Sequence, residues 1–336
     1  MSGFEELLNE VRRCASTVDE AMLRLLEAEG HEAVLELYRA SRHLIEAGGK
    51  RLRPFLVLKS CEAVGGEEEE ALPAATAVEL LHTFTLIHDD IMDRDDVRRG
   101  VPTVHVKWGL DTAIMAGDLL FAKVFQSVAG GVSRGRAERM LRVVKLLAEA
   151  AVEICEGQAM DMAFEASETV SEEAYITMVS KKTAALMRAS AMCGGVCGGG
   201  GDVEVDALGR YGLNAGIAFQ IVDDVLGVVA DERTLGKPVG SDLREGKKTI
   251  VVIHALNNAP EDLKRRIASV LGRRDASKEE IQEALEAVKE AGSVEYAKRL
   301  AMEYADRAKQ ALNVLPETRA RKLLTDLVDF FVARTY

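Results

Sequence analysis

From residue 4 to residue 333 the chain repeats one pattern, apolar side chains three and four residues apart, interrupted only by short breaks. That spacing keeps an apolar stripe on one side of a helix. It predicts helices over 4–28, 31–47, 54–65, 68–94, 111–130, 134–164, 172–193, 203–230, 243–257, 260–271, 276–313 and 316–333. The breaks are EAGGKRLRP, AVGGEEEE, RRGVPT, GGVSRG, CGGGGD and LGKPVG, and their glycines and prolines end helices. Alternation with period two is hinted at only in TIVVIHAL near 249, whose length suits a buried helix equally well. Only six prolines in 336 residues leave few positions closed to helix. No linker interrupts the pattern, so we expect an all-α chain, a single large helical bundle forming one domain over 1–336.

Charge and cysteine usage narrow the class. A formal charge of -12 argues against nucleic acid as a partner, because a phosphate-backbone footprint needs a basic face. It leaves room for a small anion held by local lysines and arginines. Five scattered cysteines (Cys14, Cys61, Cys155, Cys193, Cys197) make no disulfide framework and point to a reducing compartment. Cys193 and Cys197 lack the nearby His or Cys that a zinc site needs. The N-terminus is acidic and amphipathic, unlike a signal peptide, and no uninterrupted apolar run approaches the ~18–20 residues of a membrane span. A cytoplasmic protein is the expectation.

The segment HDDIMDRDDVRRG, from 88, sets five aspartates after the apolar stretch ELLHTFTLI. On a helix Asp89 and Asp93 share a face while Asp90 flanks it. Like charges placed so repel unless a cation neutralises them, and a carboxylate set of this kind suits Mg2+, a hard ion commonly shared with a substrate phosphate. A second pair, Asp223 and Asp224, follows the apolar AGIAFQIV. If the two helices face each other, metals between them would clamp a polyanion. Lys50, Arg51, Arg53, Arg98, Arg99, Lys182, Lys237, Lys247 and Lys248 lie near glycines or helix ends, a setting that suits phosphate recognition.

These segments together resemble the trans-isoprenyl diphosphate synthases, or polyprenyl synthetases, across nearly the whole length. The matching motifs are GGKRLRP (48–54), LLHTFTLIHDDIMDRDDVRRG (80–100), GDLLF (117–121), EGQAMD (156–161), SKKTAALMRAS (180–190), FQIVDDVLG and LGKPVGSDLREGKKT. The resemblance implies an active site in a central cavity and a homodimer. It implies a prenyltransferase joining isopentenyl diphosphate to an allylic diphosphate with release of pyrophosphate. The metal set would be Asp89, Asp90, Asp93, Asp223 and Asp224, with Asp89, Asp93 and Asp223 coordinating Mg2+ and Asp90 and Asp224 supporting them. Lys182 and Lys237 would join Asp89, Asp93 and Asp223 in catalysis. Lys50, Arg53, His82 and Arg99 would hold isopentenyl diphosphate. Arg98, Lys182, Thr183, Gln220, Lys237 and Lys247 would hold the allylic diphosphate. His88, Gln158 and Asp161 have weaker claims, the last two as neighbours of Lys182, and Arg51 reads as a surface or salt-bridging charge.

One departure stands out. Relatives usually carry a third aspartate four residues after Asp223, where this chain has Gly227. In the family it resembles, an aromatic at the place of Phe84 limits chain length, which implies that Phe84, about 7.5 Å down the helix from Asp89, sets product length, with Thr85 leaving room for a C20 rather than a C15 product. Geranylgeranyl diphosphate is therefore the favoured product. Farnesyl diphosphate or a mixture is the alternative within the class, and a non-catalytic partner subunit the alternative outside it. A terpene cyclase fits less well, since GGKRLRP and RRG imply a second diphosphate site.

Overall fold

The computed structural model describes residues 4–133, 135–230 and 240–333, and Lys237 lies outside them. The chain forms two compact units, one within residues 1–151, 189–209 and 313–326, the other within 152–188, 210–312 and 327–336. The boundaries fall inside helices. The helices are α1 (Glu5–Leu25), α2 (Glu32–Glu46), α3 (Leu52–Ala63), α4 (Glu68–Asp93), α5 (Val104–Trp108), α6 (Leu110–Gly130), α7 (Ala137–Glu165) and α8 (Glu172–Val179). A π-helical turn (Ser180–Ala184) leads into α9 (Ala185–Cys197), followed by α10 (Asp202–Val229), α11 (Ser241–Glu245) and α12 (Ile250–Asn258). The series ends with α13 (Glu261–Ala268), α14 (Lys278–Glu290), α15 (Ser293–Ala311) and α16 (Arg319–Ala333). The all-α expectation holds. Among the described residues the additions are the short α5 and a hairpin of two-residue strands, β1 (Val97–Arg98) and β2 (Val101–Pro102), antiparallel with Arg98 opposite Val101.

In the first unit α4 packs on α3 and α6, and α1 on α3 and α4. Ala71, Ala74, Ala75, Ala77, Val78, Leu80 and Leu81 bury α4 on all sides. Beyond Leu81 its side chains are mostly half-exposed, so the helix emerges from the core towards its acidic end. Beneath it the fully buried Lys59 ammonium meets Glu10 at 2.5 Å, Glu68 at 2.6 Å and Glu62 at 2.7 Å, with Arg13 on Glu10 and Glu68. Glu10, Cys14 and Glu68 converge closely enough to suggest a metal site. The Lys59 ammonium, bonded to both carboxylates, supplies the positive charge there instead.

The second unit has its own core, with Ile217, Ile221 and Val225 of α10, Ile250–Ile253 of α12 and Leu285 and Val288 of α14. Two expected helices are broken. The stretch 243–257 divides at Gly246 and 276–313 at Gly292, both with left-handed backbone (φ 82° and 69°) that ends a helix readily only at glycine. TIVVIHAL is helical, the buried start of α12. By length and composition alone α6 and α10 could cross a membrane, but 61% of the apolar window of α10 is buried as core.

Candidate active site

The first acid group sits on the last turns of α4, with Asp89 and Asp93 half-buried on one face. Asp90 is fully buried and turned onto the Arg98 guanidinium through Oδ1, while its Oδ2 has no hydrogen-bond partner. Burial pushes the Asp90 carboxyl up to about 6 against the pull of Arg98. Arg98 also lies 3.7 Å from Asp89 and 3.6 Å from Asp95. The chain reverses because Arg94 takes a left-handed conformation (φ 60°) and the Asp95 amide closes on the Asp90 carbonyl at 3.0 Å. The hairpin then folds Arg98 back onto the helix end. Thr103 fastens its base by donating its hydroxyl to the Asp95 carbonyl at 2.7 Å.

In the same unit the cations form an ordered array. Arg51 is no surface residue. Left-handed (φ 49°) and buried, it donates to Asp19 (2.7 Å), Glu79 (3.0 Å) and the Ile45 carbonyl (2.7 Å). Arg99, also left-handed (φ 55°), donates to the Leu44 carbonyl (2.8 Å) and the Gly48 carbonyl. Both guanidiniums thus sit on the carbonyl end of α2, the negative pole of its dipole. Arg53 Nη1 lies 3.1 Å from His82 Nε2. Burial, then the charges of Arg53, Arg99, Arg98 and Arg51, hold the His82 imidazole well below its usual range, so it is neutral and accepts from Arg53. Lys50 is exposed at the head of this array. Glu79, 2% exposed, is the buried counter-charge; burial raises its carboxyl and Arg51, Arg53 and Arg99 lower it. Sequence reading passed over Glu79, although a lone acid in the apolar run AVELLHTF is the kind of signal that marks a buried ion pair.

The second acid group lies on α10, in the other unit. Asp223 is exposed, whereas Asp224 is buried and accepts from the Tyr175 hydroxyl (2.6 Å), the Gln220 amide (3.0 Å) and the Ile250 backbone amide (3.1 Å). Burial raises its carboxyl to about 7. Both Asp224 oxygens are engaged by protein donors, and the Ile250 bond ties the first turn of α12 to α10. Tyr175 had no signal in the sequence. Gln220 accepts the Thr183 hydroxyl at 2.9 Å, and Lys182 pairs with Asp161 at 2.5 Å. Lys182 and Thr183 ride on the π-helical turn, a distortion concentrated at functional sites. A Cβ at Gly157 would stand 2.3 Å from the Lys182 amide nitrogen, so the bare backbone of α7 is what admits the turn. Gln158 is buried with its amide nitrogen unpartnered. Lys247 pairs with Glu245 at 2.9 Å, and the buried Lys248 donates to the Gly246 carbonyl at 3.3 Å.

Carboxylate oxygens half-exposed at a helix end, beside an orphaned buried Asp90 oxygen, form a hard donor set that fits a small divalent cation and excludes a soft one. Below the acids, the Phe84 ring packs edge-on to His88 at 4.8 Å, and Thr85 bonds back to the His82 carbonyl at 2.8 Å. His88 Nε2 lies 3.3 Å from the Ile114 carbonyl.

Known proteins resemble this chain over nearly its whole length. The polyprenyl synthetase family model matches residues 34–288. The short chain isoprenyl diphosphate synthase of Methanothermobacter thermautotrophicus is 46% identical over 98% of this chain and 99% of its own length. The crystal structure of geranylgeranyl pyrophosphate synthetase from Pyrococcus horikoshii superposes with a TM-score of 0.91 at 45% identity, covering 98% of this chain and 99% of that one. Polyprenyl synthase from Caulobacter crescentus, solved with calcium and isoprenyl diphosphate, is similar at a TM-score of 0.87 and 32% identity, over 98% of each chain. The chain belongs to the polyprenyl synthetase family.

Proposed function

We propose that the protein condenses isopentenyl diphosphate with allylic diphosphates and releases chiefly geranylgeranyl diphosphate. The observation that carries this reading is the first unit's combination of two half-buried acids on one helical face with an arginine and histidine array on neighbouring elements. Such a combination suits two diphosphates, one taken through metal and one directly by cations.

In this reading Asp89, Asp93 and Asp223 would be the residues that hold Mg2+ for the allylic diphosphate, and Asp90 and Asp224 would support them. Bound Mg2+ would supply the positive charge that stabilises the departing pyrophosphate. Arg98, Lys182, Thr183, Gln220, Lys237 and Lys247 orient that group, and Lys50, Arg53, His82 and Arg99 hold isopentenyl diphosphate. A neutral His82 suits a group that both accepts from Arg53 and donates to a phosphate oxygen. The allylic C1–O bond breaks, the isopentenyl double bond forms the new carbon–carbon bond at C1, and the proton lost passes to the released pyrophosphate. No protein nucleophile is required, so catalysis is positioning and charge stabilisation.

We further place the protein in the cytoplasm as a homodimer, serving as a single catalytic domain. The exposed apolar residues Leu110, Ile114, Met115 and Phe125 of α6 supply a face for a second copy. The test is incubation with Mg2+, isopentenyl diphosphate and dimethylallyl, geranyl or farnesyl diphosphate, with product length read by chromatography. A C20 product supports the reading, and no elongation from any primer refutes it in favour of a non-catalytic partner subunit.

A further inference from the structure

Gly227 stands four residues after Asp223, one turn along the same face of α10, where a third acid would complete the motif. Among the described residues, a Cβ built at Gly227 would meet Oδ2 of Asp242 at 3.0 Å. That is about the reach of an aspartate side chain at 227 itself. The geometry points to Asp242 supplying, from α11, the carboxylate that α10 lacks, as a positioning residue for the diphosphate-bound cation at Asp223.

Two further observations converge on this. The Asp242 backbone carbonyl accepts the Lys247 amide at 2.9 Å, so the same short segment fixes a cation and an anion beside α10. Both Asp224 oxygens are engaged by Tyr175, Gln220 and Ile250, so α10 has no second carboxylate turned to the role. A side chain at 227 would crowd the Asp242 carboxylate, so glycine at 227 leaves the place of the missing acid to Asp242.

The inference rests on the metal–diphosphate reading above, and calorimetry separates the two. Mg2+ is titrated into the protein with inorganic pyrophosphate present, so no turnover is needed. Wild type should bind, and Asp223→Asn should lose most of the response. Asp242→Asn should raise the half-saturating Mg2+ about tenfold, as loss of an outer carboxylate does at metal sites. Gly227→Asp alone should give no gain, because two carboxylates then contend for one place. Combined with Asp242→Asn it should restore affinity to within about threefold of wild type. Gly227→Ala offers a second handle, since alanine favours helix while its methyl displaces the Asp242 carboxylate; it should weaken Mg2+ in a protein that folds at least as well. Unchanged Mg2+ affinity in Asp242→Asn or Gly227→Ala, or a double variant no better than Asp242→Asn, overturns the inference while leaving the metal reading intact. A wild type without Mg2+-dependent pyrophosphate binding overturns both.

Discussion

The rings of Phe84 on α4 and Phe121 on α6 meet with centroids 5.2 Å apart and planes tilted by 46°, and Phe125 continues the row 5.4 Å further on. A prenyl chain anchored at Asp89 and growing down α4 would meet this aromatic row. Phe84→Ala should yield products longer than wild type with elongation intact, and Thr85→Phe should shorten them. Chromatography of the hydrolysed products checks both. An unchanged distribution from an active Phe84→Ala enzyme would place the floor elsewhere.

In the proposed reading, Asp89→Ala or Asp93→Ala removes a carboxylate whose charge would hold the cation against the leaving group. We expect kcat to fall by about 10²- to 10³-fold or more. Chelation with EDTA should abolish activity and added Mg2+ restore it. Activity within a few-fold of wild type would refute the assignment.

Arg53 touches His82 and lies in the array assigned to isopentenyl diphosphate. A charged hydrogen bond is worth about 1.5–3 kcal/mol. Arg53→Ala should therefore raise the KM for isopentenyl diphosphate about 10- to 100-fold and change the allylic KM far less. Steady-state kinetics with each substrate varied in turn would decide; equal effects on both would contradict the assignment.

Tyr175→Phe keeps the ring and deletes one of three donors on Asp224. A buried acceptor short of a donor costs about 1–3 kcal/mol, so urea unfolding should show a loss in that range. The KM for isopentenyl diphosphate should not move.

Glu10 gives the acid side of the stability profile. The Arg13 hydrogen bond, opposed by burial and aided by Lys59, holds its carboxyl at about 2, below the ordinary 4.5. A depressed folded-state pKa stabilises fully above 4.5 and is lost as pH falls towards 2. Thermal melts from pH 6 to 2 should therefore show a falling Tm in this window, with a shallower fall for Glu10→Gln.

Much of this was legible from spacing alone. The heptad-like apolar stripes located nearly every helix, and the two acid pairs stood out because like charges seldom follow a buried stripe by chance. What escaped depended on contacts distant in sequence. The Arg51 pairing with Glu79 joins α3 to α4, and the Tyr175 bond to Asp224 joins α8 to α10. The lone acid in AVELLHTF signals that Glu79 has a buried partner without saying which, and nothing local to Tyr175 points to Asp224. The splits at Gly246 and Gly292 were hidden because apolar spacing continued across them, and the hairpin at Val97–Pro102 is too short to show a period.

Among the described residues three non-glycines hold left-handed backbone, and all are arginines: Arg51, Arg94 and Arg99. At each, the turn favours glycine. At 51 and 99 the neighbours demand a guanidinium, for the carboxylates of Asp19 and Glu79 in one case and the α2 carbonyls in the other. Selection for heat tolerance would act on these positions unequally. Glycine at the exposed Arg94 would relieve the strained turn at the cost of a freer unfolded chain, whereas the same change at Arg99 would also strip the guanidinium from the α2 carbonyls and untie the hairpin from that helix.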